Sequence, residues 1–228
     1  MPSAQKHFIG TMRYTILKNE LDNRVNSFKR YLEYLERDFE SKSQKINYEY
    51  NLKEPGSSRE DYESAEFMRK FLIYREVDIH IEILRKSLAI SIYSFLEHHM
   101  NLICNHLDEF HSSSLTLKDL KGDGIKRAKL HLEKVHSLDF SKLNSCWSFL
   151  SNFNKVRNCL VHTDGDTSLM RSKTTLVNVV DSSDGLSLIK EKQIKIEKDY
   201  IHDCIYQMGI FLTKIVDDAF GEYNLECP

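Results

Sequence analysis

Proline and glycine are scarce in this chain, at 3 and 8 of 228 residues. So few breakers exclude collagen-like and low-complexity classes and leave too little turn punctuation for a barrel or sandwich of many short strands. Cysteine lacks any pattern. The five thiols, Cys104, Cys146, Cys159, Cys204 and Cys227, are odd in number, far apart and without a Cys-x-x-Cys pair. That argues against a disulfide scaffold or a four-cysteine zinc site and favours a reducing, cytoplasmic setting. Net charge is nearly absent, with 32 Lys and Arg against 34 Asp and Glu, so any anionic partner must meet a local patch rather than a global field. Long apolar runs are missing as well. The first thirty residues hold no stretch fit for a signal peptide, and the run from Leu88 to Leu96 is broken by serines and flanked by Arg85, Lys86 and Glu97. No segment is expected to enter a membrane.

What is present is a chain 41% hydrophobic and 29% charged, enough to build a core. Leu17, Leu21, Val25, Phe28, Leu32, Leu35 and Phe39 recur at steps of three and four, which predicts one long amphipathic helix over roughly 13 to 42. Pro55-Gly56 breaks it, and Ser58 with Asp61 offers a capping box for a second helical stretch reaching Phe110, broken once at most. Between Leu88 and Leu107 the apolar positions cover most of the circumference, which marks the centre of the core. A basic helix follows from about Ile125 to Val135. Around it, from Lys118 to Lys134, six Lys or Arg face three Asp or Glu, the best anion-facing patch in the chain.

Ser141 can cap a helix over Lys142 to His162 that Gly165 stops. Leu176 to Val180, Leu186 to Ile189 and Gln193 to Ile196 read as a small antiparallel ribbon within 174–197, and Asp199 starts a last helix over 199–220. The expected fold is therefore mainly α, an antiparallel helical bundle with a long N-terminal helix and a small β-ribbon inserted before the last helix. It forms a single domain, 1–228, with 1–55 as an N-terminal extension and 60–165 as core helices.

The chemistry concentrates in Asn154-Lys-Val-Arg157-Asn158-Cys-Leu-Val-His162-Thr-Asp-Gly165. Asn158 and His162, four apart, are separated by about 40° around a helix, whereas Arg157 and His162, five apart, are separated by about 140°. A guanidinium fork suits phosphate oxygens and charge that develops in a transition state, while an imidazole can move a proton to or from a ribose oxygen. Such a trio fits phosphoryl transfer on RNA without a metal.

Arg157-Asn158-x-x-x-His162 inside a helix resembles the signature of the HEPN superfamily, small helical proteins many of which are metal-independent endoribonucleases. Tyr93-Ser94-Phe95-Leu96-Glu97 and Asn101 resemble the preceding helix of that family, whose polar or acidic residue pairs with the motif arginine. The resemblance implies cleavage by attack of the ribose 2′-oxygen on the adjacent phosphate, at motifs facing each other across a homodimer. On that reading Arg157 binds the phosphate, His162 is the acid or base, Asn158 orients them and Glu97 holds the arginine. Lys126, Arg127, Lys129 and Lys155 would contact RNA, with neither metal nor other cofactor. The implied role is a toxin or phage-defence effector, with a cognate antitoxin as a further partner. In one family variant a tyrosine two residues after the histidine is modified by a partner; here Asp164 stands there, which speaks against that control.

Competing readings exist. Arg75-x4-His80 fits the same bare pattern, but Glu76 and Asp78 would repel a phosphate. His98, His99, Cys104 and His106 crowd one helix without the convergent spacing of metal ligands. Trp147, Phe149 and Phe153 read as core, Gly122-Asp-Gly124 as a turn, and Gly-x-Ser-x-Gly is absent. The alternatives to an enzyme are a non-catalytic helical module binding nucleotide, RNA or a protein through the same polar end, and a plain interaction bundle.

Overall fold

The computed structural model describes residues 3–51 and 59–223. They form helices α1 (Ser3–Asn51), α2 (Arg59–Ile73), α3 (Ile79–His111), α4 (Gly124–Lys134), α5 (Asn144–Thr163), α6 (Lys173–Asp181) and α7 (Lys198–Phe220), with strands β1 (Leu186–Ile189) and β2 (Gln193–Ile196) before α7. The mainly α bundle with its long first helix and small ribbon is thus the architecture of the chain. The Pro55-Gly56 break, its Ser58 cap and Cys227 lie outside the described residues.

The 3.6-residue rule explains most of this. In α1 the buried apolar side chains are Leu17, Leu21, Phe28 and Leu32, with Val25, Leu35 and Phe39 packed against the core at the edges of the same stripe. The helix runs beyond its apolar stripe at both ends. The helical path from Arg59 to His111 is interrupted by a π-helical segment, Tyr74–Asp78, so the single break is a change of winding rather than a loop. α3 buries residues around most of its circumference, and α7 packs against α1, α3 and α5, burying Ile201, Ile205, Met208, Leu212 and Ile215 along its length. One hydrophobic cluster runs from Leu17 to Phe220. Among the described residues no helix is long and apolar enough to cross a membrane.

One expected element is corrected. Leu176 to Val180 is not a strand but part of α6, and the ribbon is the two-stranded hairpin of β1 and β2, with Leu186 opposite Ile196 and Ile189 opposite Gln193. Leu176, Val179 and Val180 are all buried, a spacing of three and four that only a helix turns to one side. Packing decided between two patterns that the same letters satisfy.

His99 of α3 is wholly buried and stacks on Phe95 with ring centroids 5.1 Å apart. Burial pushes its imidazole down to about 4, against the pull of Glu20. A histidine whose folded value lies below its unfolded one contributes stability that is complete above the unfolded value and is lost as pH falls towards the folded one. Stability should therefore drop by about 3 kcal/mol between roughly pH 6.5 and 4 on this account. Chemical denaturation of wild type and His99→Leu across that range checks it, since the variant should have a visibly shallower slope.

Candidate functional site

α5 carries the motif because its apolar residues fix which way it faces. Leu150, Phe153, Val156, Cys159 and Leu160 are buried, while Ser148, Lys155, Val161 and His162 are exposed. Phe153 meets Tyr93 of α3 edge-on, with centroids 5.5 Å apart, and this contact sets the seam between the two helices. Arg157 lies one turn further along α5 and reaches into the same seam. Its guanidinium carbon sits 4.6 Å from the centroid of the Tyr93 ring, its Nη1 donates to Asn158 Oδ1 at 2.8 Å, and its Nη2 donates to Glu97 Oε2 at 3.4 Å. Burial pushes the Tyr93 hydroxyl above its usual range, with Glu97 adding to the shift and Arg157 opposing it. The ring thus stays a neutral face for the cation.

The expected pairing of Arg157 with Glu97 is therefore present, with side chains 22% and 34% exposed. At that exposure, and with one long contact, a phosphate oxygen can compete with the carboxylate for the fork. Gly124, the first residue of α4, stands beside Glu97: a Cβ there would lie 3.4 Å from Glu97 Oε1, and its φ of +53° is in the region that favours glycine. The positive end of α4 thus abuts the carboxylate. Asn101, one turn on, has a buried Oδ1 without a partner among the described residues.

His162 is elsewhere on the helix. It is exposed in the last turn of α5, and no hydrogen bond or ion pair holds it among the described residues. It shares the outward stripe with Lys155, seven residues back, whose Nζ donates to Asn152 Oδ1 at 3.0 Å. Within one chain, then, Arg157, Asn158 and Glu97 touch one another, and His162, on the same side of α5 as Asn158, makes no hydrogen bond or ion pair with them.

The end of α5 is clamped. Asp164 (φ 52°) and Gly165 (φ 91°) take the left-handed conformation, and both backbone N–H groups return to the Cys159 carbonyl. The Asp164 carbonyl accepts from Lys86 Nζ of α3 at 2.9 Å and from Gln193 Nε2 of β2 at 2.6 Å, and the Gly165 carbonyl accepts from Ile194 N at 2.9 Å. Burial works against the charge of Lys86, but its hydrogen bonds with Glu82 and Asp164 outweigh that and raise it above an ordinary lysine. The β-hairpin therefore fixes the turn that carries His162.

The four expected RNA-contacting cations are not equivalent. Lys126 and Lys155 are exposed and Arg127 is half-buried. Lys129 pairs with Glu133 and lies over the rings of Phe140 at 4.8 Å and Trp147 at 5.3 Å, so its charge is held within the fold. Arg75, the alternative arginine, pairs with its neighbour Glu76, and His80 stacks on Phe39. His106 is taken by Arg13 of α1, whose Nη1 lies 2.8 Å from both its ring nitrogen and its carbonyl. Asp108, His131 and His136, unmarked by any motif, are brought together by the fold at the far end of α3 and α4. Their spacing follows no local pattern beyond His131-x4-His136.

Compared with protein-family models, with curated proteins and with solved structures, the chain matches none.

Proposed function

We propose that the chain is a metal-independent endoribonuclease of HEPN type, acting as a homodimer. The observation that carries this reading is the seam of α3 and α5, where an arginine fork lies between Tyr93, Glu97 and Asn158 and remains open to solvent. Arg157 binds the non-bridging oxygens of a phosphodiester and offsets the charge that grows on them as the 2′-oxygen attacks. Asn158 and Glu97 hold the fork. The new bond joins phosphorus to the 2′-oxygen, the bond to the 5′-oxygen breaks, and a proton moves from the 2′-hydroxyl to a base and from an acid to the leaving oxygen. His162 supplies one of those proton steps.

Since His162 stands on the outer face of α5, a site containing both groups forms best across a two-fold axis, where each copy offers its own patch to the other. Lys126 and Lys155, both exposed, would bind the flanking phosphates on this reading. In this reading the chain acts as a toxin or phage-defence effector, with a cognate antitoxin as its controlling partner.

Incubation of end-labelled RNA with the purified chain in excess chelator tests the reading. Products ending in 2′,3′-cyclic phosphate and 5′-hydroxyl are expected. The separation of His162 from Arg157 within one chain favours a second reading, a helical module that binds nucleotide, RNA or protein without cutting. Retained RNA, with no cyclic-phosphate ends, would select it.

A further inference from the structure

A second polar cluster lies eleven residues further along α3 from Glu97, about 16 Å at the rise of an α-helix. Asp108 stands in the last turn of α3, His131 in the last turn of α4, and His136 just beyond α4, where Ser137 (φ 58°) turns the chain. His131 Nε2 lies 3.2 Å and His136 Nε2 2.8 Å from the same oxygen, Asp108 Oδ1, and the two imidazole centroids are 5.0 Å apart. Three ligand atoms from three points of the chain thus lie within 4.8 Å of one another.

We infer that Asp108, His131 and His136 form a binding site for a divalent transition-metal ion of the zinc class, which ties the end of α3 to the end of α4. Two imidazoles and a carboxylate are the donor set such an ion takes, at about 2.0–2.2 Å from each atom in a tetrahedral arrangement. Neighbouring donors of such a site are about 3.3 Å apart, close to the 3.2 and 2.8 Å that separate the two imidazole nitrogens from Asp108 Oδ1. The groups are already withdrawn from water: His131 is fully buried, and the side chains of His136 and Asp108 are 3% and 11% exposed.

Their hydrogen bonding alone leaves His131 underserved. Its Nε2, the atom that faces the cluster, has only Asp108 Oδ1 at 3.2 Å and a long contact of 3.4 Å to the Leu115 carbonyl. A groove of about 550 Å³ lined by His111, Ser113, Leu115, Lys134 and His136 reaches the cluster at His136, which gives an ion a path from solvent.

This site is independent of the proposed nuclease chemistry, and its test does not use RNA. Metal-free full-length chain is titrated with Co²⁺, then with Zn²⁺, while its visible absorption and melting temperature are followed. One equivalent of Co²⁺ should give ligand-field bands that Zn²⁺ abolishes. Zn²⁺ at a hundredfold excess over its dissociation constant should raise the melting temperature by roughly 5–10 °C. Asp108→Asn and His136→Gln, which keep volume and a hydrogen-bonding group, should each abolish both signals. A wild-type chain that shows neither overturns the site, and so does undiminished binding by both variants.

Discussion

His162→Ala should lower RNA cleavage by about 10²–10⁴-fold while leaving the melting temperature unchanged, the usual contribution of one proton-transferring group. Both halves of that expectation come from where the residue lies. His162 is exposed in the last turn of α5 and makes no hydrogen bond or ion pair among the described residues, so its removal costs the fold almost nothing. The turn beneath it is held independently by Lys86, Gln193 and Ile194, so the backbone stays in place when the imidazole is gone. Cleavage rates and thermal melts on the same preparations check it. An unchanged rate would remove His162 from the mechanism.

Arg157→Lys should cost about 10²–10³ in cleavage rate although it keeps the positive charge. A guanidinium presents parallel donors, and here they are divided between Asn158 Oδ1 and Glu97 Oε2 with the planar group over Tyr93. An ammonium is a point charge that cannot hold both contacts and a phosphate in one plane. The Arg157–Glu97 pair is partly open to water, so the effect on stability should stay near 1 kcal/mol or below. Glu97→Gln separates the roles, because it removes the opposing charge and keeps the shape. A loss confined to KM there, beside a loss in kcat for Arg157→Lys, would mark Glu97 as positioning the fork rather than sharing in the chemistry.

Most of the fold was legible because most of it is amphipathic helix. In α1 and α7 the apolar residues return every three or four positions, and burial follows that rhythm from Leu17 to Leu32 and from Ile201 to Ile215. The stop at Gly165 was equally plain, because a left-handed turn after a helix calls for glycine. α6 departs from the expected strand because its β-branched letters suit a strand when taken locally, and only the core that receives Leu176, Val179 and Val180 favours a helix.

For the candidate site, the ion pair of Glu97 and Arg157 joins two helices across sixty residues of sequence, a contact that apolar periodicity by itself does not reveal. The sequence did not foretell that Lys129 is used within the fold, over Phe140 and Trp147, since those rings come from beyond α4. Nor did it foretell the cluster of Asp108, His131 and His136, whose members meet only because α3 and α4 end side by side.

The account depends on Arg157 and His162 acting in one site although no hydrogen bond or ion pair joins them within one chain. Mixing the inactive variants Arg157→Ala and His162→Ala as reassociated dimers tests that most directly. If each site draws its arginine from one copy and its histidine from the other, about half the dimers are mixed and each holds one complete site. Cleavage should then recover to about a quarter of the wild-type rate. Two inactive variants that stay inactive when mixed and reassociated, beside an active wild type, would contradict the shared site.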